Sequence, residues 1–309
     1  MRGLVLRCRG DKDMSILRRC VGFAKMGVCY FTGRRVSAKD FAEEYDRVAS
    51  TYDLWTQRMG PHTDLLLDLD LLPKRDRPLR IIDLACGTGY IARSLLSKLG
   101  AGCEASITCT DISRGMLDRA RESICDDRVD FVEAEGMEFL ASLPPGSCDA
   151  IYCGWGMVYF PCARLIPLCA AALQPDGILG SIMNCMGTLR GVEDLFIEVM
   201  SEHPNEVDKI MDTRFHLPAN EAAFNSWFTR HGFKPTLSGS GEQIVLWLTP
   251  ELLYAWLRDT GAIAGTAKLF RDEQEMAPIL IERAAKRCAV HGGYRTNHKF
   301  VYGVYNKCP

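Results

Sequence analysis

The carboxylates of Asp83 and Asp111 and the glycines Gly87 and Gly89 have the residue types and spacing to bind a small polar ligand. Asp83 ends the apolar run of Ile81 and Ile82, and Gly87 and Gly89 follow shortly after it. Glycine lacks a Cβ atom, so such a turn can take positive φ angles and let a ligand lie against the backbone. A helical pattern begins directly after Gly89, and the unpaired N–H groups of a helix N-terminus favour polar or negatively charged groups. The stretch therefore predicts a ligand-binding turn between a buried strand and a helix.

Two kinds of ligand fit this turn. Gly87-x-Gly89-x-x-Ala92 fits the dinucleotide fingerprint, and Asp111 lies at roughly the distance expected for an acid that binds a ribose. The second kind is a ligand that carries an ammonium group. Asp83 distinguishes the two kinds of ligand, because its carboxylate would repel a pyrophosphate but attract an ammonium group. An oxidoreductase that uses a nicotinamide nucleotide stays open as an alternative at this point.

Further polar and aromatic residues follow the ends of the next predicted strands. Asp111 closes the second strand, at the sheet edge where ligands bind in parallel sheets, and its carboxylate could accept from both ribose hydroxyls. Glu135 follows the third strand and could accept from an exocyclic amine. Gly154 and Gly156 flank Trp155 after the fourth strand, which indicates a close approach of the backbone to a ligand.

The run Asp83-x-Ala85-Cys86-Gly87-x-Gly89 resembles the first motif of class I S-adenosylmethionine-dependent methyltransferases. The predicted strand Gln243–Leu248, the helical stretch after it and the final strand Lys299–Tyr305 resemble the closing section of the small-molecule, trans-aconitate methyltransferase-like type. Asp111, the Glu135-Gly136-Met137 loop and the loop after strand four resemble the later motifs, in order, and the likeness covers roughly residues 40–305. It implies a Rossmann-like α/β fold, in which a seven-stranded methyltransferase sheet has helices on both faces and a helical cap.

The resemblance also implies a site. The residues expected to bind S-adenosyl-L-methionine come from the lid segment, the glycine turn and the strand ends, and are Tyr45, Tyr52, Asp83, Ala85, Cys86, Gly87, Gly89, Asp111, Ile112, Met116, Glu135, Gly136, Met137, Cys153 and Gly154. Trp55, Trp155 and Tyr159 are expected beside the methyl acceptor. If the acceptor is a hydroxyl or an amine, Tyr159, His216 and His62 are the candidate general bases.

The implied reaction is an in-line displacement that methylates an oxygen, carbon or nitrogen atom of an aromatic, quinone or lipid-like metabolite. Two alternatives remain, which are a partner subunit that binds the cofactor without catalysis and the nicotinamide-dependent oxidoreductase. Methylation of arsenite is disfavoured, because Trp155 stands where that family needs a cysteine.

The chain divides into five predicted regions. A basic N-terminal helical extension (1–39) precedes lid helices (40–78), the cofactor-binding core (79–185), a helical cap insertion (186–232) and C-terminal strands with a helical insertion that complete the sheet (233–309). In the extension, Ser15–Phe31 reads as a basic amphipathic helix. Such a helix can pack on its own domain, form a dimer contact or lie on an anionic membrane surface.

Composition, net charge and cysteine spacing indicate which classes of protein the chain can belong to. The chain has 47% hydrophobic and 25% charged residues, which is ordinary for a globular protein. A net charge of −2 argues against a nucleic-acid partner. No run is long enough for a membrane span and no signal peptide is evident, so the sequence predicts a cytoplasmic protein. We expect a monomer or homodimer whose partner is a small-molecule methyl acceptor. The 14 cysteines lack C-x-x-C spacing and are expected to be core residues without a metal site.

Overall fold

The structure, a computed structural model, describes the backbone of residues 7–100, 102, 104–192, 194–211 and 216–308, with side chains from Ile16 onward. The helices within these ranges are α1 (Arg7–Phe31), α2 (Ala38–Val48), α3 (Asp53–Thr63), α4 (Tyr90–Leu99), α5 (Arg114–Ser123), α6 (Gly136–Ser142), α7 (Cys162–Ala172), α8 (Leu195–Glu202), α9 (Glu221–Thr229), α10 (Pro250–Asp259) and α11 (Glu273–Cys288).

The strands form one mixed sheet. They are β1 (Leu79–Leu84), β2 (Ala105–Asp111), β3 (Val129–Glu133), β4 (Cys148–Gly154), β5 (Leu173–Asn184), β6 (Phe233–Trp247), β7 (Ala289–Val290) and β8 (Gly293–Lys307). The strand order is β3-β2-β1-β4-β5-β8-β6, and the two-residue β7 pairs with β8. Strands β1 to β5 are parallel, whereas β8 is antiparallel to both of its neighbours. The predicted seven-stranded α/β sheet is therefore confirmed, with β7 as a small addition.

The central strands are buried along most of their length because helices cover both faces of the sheet. Every residue of β4 from Cys148 to Cys153 is buried, and so are the last four residues of β1. Asp83 is included in that buried segment and Asp111 ends β2, so both carboxylates lie at the carboxyl edge of the sheet. Cysteines serve as small core residues here, since Cys109, Cys153 and Cys169 are almost wholly inaccessible.

Two short helices form the segment before the sheet. Ser37 begins α2 with a capping box, in which its hydroxyl accepts from the backbone of Asp40 and the Asp40 carboxylate accepts from the backbone of Ser37. The hydroxyl of Thr51 donates to the carbonyl of Val48 at 3.1 Å, where α2 ends. The apolar spacing alone predicts one helix from the start of α2 to Tyr52, but the chain turns after Val48 and α3 begins at Asp53.

Helices α8 and α9 lie in the region expected to form a cap. Helix α8 packs against α1 and α11, whereas α9 packs against β6 and β8. Phe228 of α9 stacks on Tyr305 of β8, with ring centroids 3.8 Å apart. Within the described part of 186–232, these helices thus lie against other elements of the fold. Among the described helices, none is both long and apolar enough to cross a bilayer.

Candidate functional site

Two adjoining cavities lie at the carboxyl edge of the sheet. The larger is enclosed by the strand ends, by α2 and α3, and by the turn after α10. The smaller lies between the glycine turn and α3, and both cavities share Tyr52, Trp55, Gly87, Gly154 and Trp155 in their walls. The chain therefore brings its glycine turn, its lid and the loop after β4 to one place.

The glycine turn between β1 and α4 has the backbone that its sequence predicts. Gly87 and Gly89 have φ angles of 54° and 79°, in the left-handed region that glycine adopts without strain. The ring of Tyr52 lies 3.6 Å from the place where a Cβ on residue 87 would sit, so Tyr52 covers the turn. A Cβ on residue 89 would lie 2.7 Å from Ile124, so Gly89 instead permits close packing beneath the turn.

Asp111 is held in place by two backbone donors. Its Oδ2 accepts from the N–H of Gly87 and its Oδ1 from the N–H of Ser113, both at 2.9 Å. Burial raises the pKa of this carboxyl, and the two hydrogen bonds act in the opposite direction. Each carboxylate oxygen can accept more than one bond. Asp111 lines the larger cavity and can therefore accept hydroxyl donors from a ligand.

Asp83 is a buried carboxyl with one unsatisfied oxygen. It is 1% exposed, and its Oδ2 accepts from the N–H of Ala92 at 3.3 Å, whereas its Oδ1 has no hydrogen-bond partner among the described residues. Burial raises the pKa of Asp83 to about 8. Because Asp83 lines the smaller cavity, a cation or a hydrogen-bond donor there would satisfy this oxygen.

Two aspartates, one in α2 and one in α3, join these lid helices by hydrogen bonds to the start of α5 and to the glycine turn. Asp46 Oδ1 accepts from the Ser113 hydroxyl at 2.6 Å and from the Gly115 N–H at 2.8 Å. Asp53 Oδ1 accepts from the Thr88 hydroxyl at 3.0 Å. Each follows a tyrosine that lines the cavity, so the repeated Tyr-Asp pair supplies a wall residue and an anchor. The anchoring was not predicted, although the repeated pair was a signal for it.

Trp155 forms the wall between the two cavities. Its Nε1 donates to the Thr63 hydroxyl at 2.9 Å. Its ring contacts Trp55 and Phe300 edge-on, with centroids 5.8 Å and 5.6 Å away. Trp155 also has a φ of 67°, although it is not a glycine. The indole is thus fixed on three sides and faces both cavities with its remaining surface.

Tyr159 and His216 are the candidate bases that reach the larger cavity. Burial raises the pKa of Tyr159 to about 12, so its phenol is protonated at neutral pH and acts as a donor. His216 Nδ1 lies 3.0 Å from the carbonyl oxygen of Val158. Since a carbonyl only accepts, this contact assigns the proton of the neutral ring to Nδ1 and leaves Nε2 as an acceptor.

The predicted site residues are mostly brought together. Those that line one or both cavities are Tyr45, Tyr52, Trp55, Asp83, Ala85, Cys86, Gly87, Asp111, Ile112, Met116, Glu135, Gly136, Gly154, Trp155, Tyr159 and His216. Gly89, Met137 and Cys153 line neither cavity. Glu135 lines the larger one, but its Oε2 also accepts from the N–H of Glu138 at 2.9 Å and so caps α6.

His62 lines neither cavity. Its Nε2 is 3.0 Å from Gln243 Oε1, and its ring packs on Phe300. Sequence reasoning missed several wall residues, and these are Val36, Ala38, Phe41, Val158, Asn184, Thr260, Gly261 and Ala262. They carry no motif, and most lie far in the chain from the strand ends.

Comparison with known proteins shows what this chain is similar to. Residues 81–177 match the family model of a methyltransferase domain. A ubiquinone/menaquinone biosynthesis C-methyltransferase, UbiE, of Rhodopseudomonas palustris (strain HaA2) is 35% identical over 128 residues, which are 38% of this chain and 48% of the relative. The chain thus spans about half the length of the curated relatives that it matches.

Two solved structures share the fold. Phosphoethanolamine N-methyltransferase 2 of Haemonchus contortus, in complex with phosphomonomethylethanolamine and S-adenosylhomocysteine, has a TM-score of 0.51 at 16% identity, over 89% of this chain and 61% of that chain. A Bacillus halodurans protein solved as a candidate methyltransferase has a TM-score of 0.50 at 14% identity, over 80% of this chain and 100% of that chain. Residues 81–177 thus match a methyltransferase domain, and in its strand order and glycine turn the central part of this chain is similar to class I S-adenosylmethionine-dependent methyltransferases.

Proposed function

We propose that this chain binds S-adenosylmethionine and transfers its methyl group to an uncharged small molecule. The observation that carries the proposal is the arrangement of two carboxyls around one glycine turn. Asp111 is oriented by Gly87 and Ser113, and Asp83 keeps a buried oxygen without a partner. A ligand with hydroxyls at one position and an ammonium at the other would satisfy both groups.

The residues present fit that cofactor. Asp111 would accept from the ribose hydroxyls, and Asp83 would accept from the ammonium of the methionine part. Ile112 and Met116 would cover one side of the adenine, with Glu135 at its edge. When bound, S-adenosylmethionine supplies a methyl group activated by a sulfonium charge.

The chain's own residues would then position the reactants. The aromatic rings of Tyr52 and Trp155 lie in both cavity walls, where their faces can stabilise a cation. The lid, fastened through Asp46 and Asp53, would exclude water from the cavity. Positioning and desolvation favour a displacement in which the cationic charge disappears.

The walls of the larger cavity support an uncharged acceptor. Among the described lining residues there is no lysine or arginine, whereas Asp111 and Glu135 are acidic. An anionic acceptor would find no counter-charge there, and Val36, Phe41 and Val158 offer apolar contact. A phenol or quinol has this chemistry, and the matched relative acts in quinone biosynthesis. His216 Nε2 would take the proton of an acceptor hydroxyl.

Calorimetry tests the cofactor and a product assay tests the transfer. We expect S-adenosylmethionine to bind and NADH not to bind, and Asp111→Ala to weaken binding by about 10-fold to 100-fold, in line with the loss of charge-assisted hydrogen bonds. Asp111→Asn, which keeps the shape, is the matched control and should weaken binding less. NADH binding without S-adenosylmethionine binding would overturn the proposal. If the cofactor binds but no S-adenosylhomocysteine forms when phenols and quinols are added, the chain would be a non-catalytic subunit.

A further inference from the structure

Helix α1 presents an apolar face that no described part of the chain covers. The residues Ile16, Cys20, Phe23, Gly27 and Phe31 follow one another at helical spacing and form one stripe. Phe31 is 88% exposed, Ile16 61% and Phe23 56%. A second stripe beside it holds Leu17, Val21, Ala24 and Val28, which are also exposed. The outward half of α1 is thus apolar, which is the reverse of an ordinary surface helix.

The opposite side of α1 is what holds it to the molecule. Gly22 is buried against α8, and a Cβ at this position would lie 2.3 Å from the carbonyl oxygen of Ser201. Cys29 is fully buried, and Arg19 donates to Glu202 of α8 at 2.6 Å. Because this contact fixes the rotation of the helix about its axis, the apolar half points away from the domain.

The rim of this face is basic. No acidic residue occurs between Met14 and Lys39, although the whole chain has a net charge of −2. Arg18 and Lys25 lie on the flank of α1 next to the Val21 and Val28 stripe. Arg34 follows the helix and is ion-paired with Asp208, so Arg18 and Lys25 carry the charge of this rim. Long basic side chains beside an apolar face can place their charges among anionic headgroups while their stems cover apolar surface.

We propose that α1 lies on an anionic lipid surface, with its apolar half in the interface and its basic rim among the headgroups. A second copy of the chain is the less favoured occupant. A two-fold dimer through this face would bring the same surface of each copy together, so Arg18 and Lys25 of one copy would face the same cations of the other. The position of α1 supports a lipid surface, because Val36 and Ala38 follow it directly and line the larger cavity.

Flotation of the full chain with lipid vesicles tests the inference. We expect binding to vesicles of phosphatidylcholine with phosphatidylglycerol, weaker binding as salt increases, and little binding to phosphatidylcholine alone. The double variant Phe23→Ser/Phe31→Ser should bind at least ~10-fold more weakly, because two large apolar side chains are removed from the face that enters the interface. Arg18→Gln/Lys25→Gln should reduce the preference for the anionic vesicles.

The chain offers a matched control on another surface. Leu246 of β6 and Leu248, just after that strand, are 68% and 80% exposed, and Leu246→Ser/Leu248→Ser should leave vesicle binding unchanged. Far-ultraviolet circular dichroism confirms that each variant is folded. The proposal fails if the wild type does not float with anionic vesicles, or if the control variant loses binding as strongly as the α1 variant. It also fails if light scattering shows a dimer that Phe23→Ser/Phe31→Ser converts to a monomer. None of these outcomes depends on methyl transfer.

Discussion

The phenol oxygens of Tyr45 and Tyr159 lie 2.5 Å apart in the wall of the larger cavity. Tyr45 belongs to α2 and Tyr159 to the loop after β4, so one hydrogen bond joins the lid to the sheet edge. Their rings also meet edge-on, with centroids 5.8 Å apart. Burial raises the pKa of both phenols, so both hydroxyls keep their protons and the bond persists at neutral pH.

The two hydroxyls of this pair should be coupled, so that removing the second costs less free energy of unfolding than removing the first. Tyr159→Phe leaves the Tyr45 hydroxyl buried without its partner, and we expect the free energy of unfolding to fall by about 1–3 kcal/mol. The double variant Tyr45→Phe/Tyr159→Phe should lose less than the sum of the two single variants, because neither hydroxyl is then left unpaired. Urea denaturation of the four proteins measures the coupling. Strictly additive effects would show that the two hydroxyls do not interact.

Asp83 should make the stability of the ligand-free chain depend on pH. Its pKa of about 8 in the fold exceeds the usual value near 4, so folding favours the protonated form. The resulting stabilisation is complete below ~pH 4 and is lost as the pH rises through about 8. We expect Asp83→Asn, which cannot ionise, to gain stability relative to the wild type as the pH rises from 5 to 8. Urea denaturation at several pH values measures this difference, and an unchanged difference would contradict the assignment.

Cofactor binding should release a proton near pH 7. An ammonium beside Asp83 favours its carboxylate, so a carboxyl that is mostly protonated in the free chain would ionise when the ligand binds. Affinity for S-adenosylhomocysteine, which carries the same ammonium, should then rise between pH 6 and 8. Calorimetry in phosphate and in Tris, which differ in ionisation enthalpy, measures the released proton. Equal heats in both buffers would indicate that Asp83 does not face the ammonium.

The two histidine candidates should separate in a turnover assay. His216 lines the larger cavity with Nε2 as its acceptor, whereas His62 is engaged with Gln243 outside it. With a hydroxyl acceptor, we expect His216→Asn to lower turnover by about 10²-fold to 10⁴-fold, the usual contribution of a general base. His62→Asn is the matched control and should retain turnover, and calorimetry should show unchanged cofactor affinity for both. Equal losses in the two variants would remove His216 from the role of base.

His298 should limit the stability of the chain in acid. It is fully buried beside Trp55, and neither ring nitrogen has a hydrogen-bond partner among the described residues. Burial lowers its pKa to about 3, so the unfolded chain binds a proton near pH 6.5 that the folded chain does not. Stability is therefore lost as the pH falls from ~6.5 toward 3, at up to about 1.4 kcal/mol per pH unit.

The variant His298→Phe isolates this effect. Because Asp83 changes stability in the opposite direction over part of the same pH range, the variant is compared with the wild type at each pH. We expect the variant to gain about 2 kcal/mol relative to the wild type between pH 6.5 and pH 5. Urea denaturation at the two values measures the gain. If the difference between the proteins does not change with pH, His298 is not held neutral in the fold.

The parts of the site that were predictable are those with a local cause. Gly87 and Gly89 mark a turn through their backbone freedom, and Asp111 ends a β-rich run, so both could be placed at the sheet edge before any contact was known. The choice between His62 and His216 could not be made in the same way. Both are single histidines in irregular stretches, and only the folded chain shows which one reaches the cavity.

The remaining surprises come from long-range packing. Thr260 and Gly261 reach the cavity from the turn after α10, at a great distance along the chain from the glycine turn. The hydrogen bonds that Asp46 accepts from Ser113 and Gly115 depend on the position of α5, which α2 alone does not specify. The sequence predicts an amphipathic α1, but the contact of Gly22 with α8 decides which face of the helix is exposed. Such pairings are tertiary facts without a motif.

The left-handed backbone at Trp155 means that the loop after β4 is strained. The φ of 67° brings the Cβ of Trp155 close to the adjacent peptide. This conformation costs about 1–2 kcal/mol for a residue other than glycine. Relaxation is hindered, because Thr63 holds the indole and Gly156 is so closely packed that a Cβ there would lie 2.7 Å from the Cβ of Ala85. The conformation of Trp155 thus lowers the stability of the fold but keeps the indole rigid between the two cavities. Such rigidity would serve recognition rather than folding.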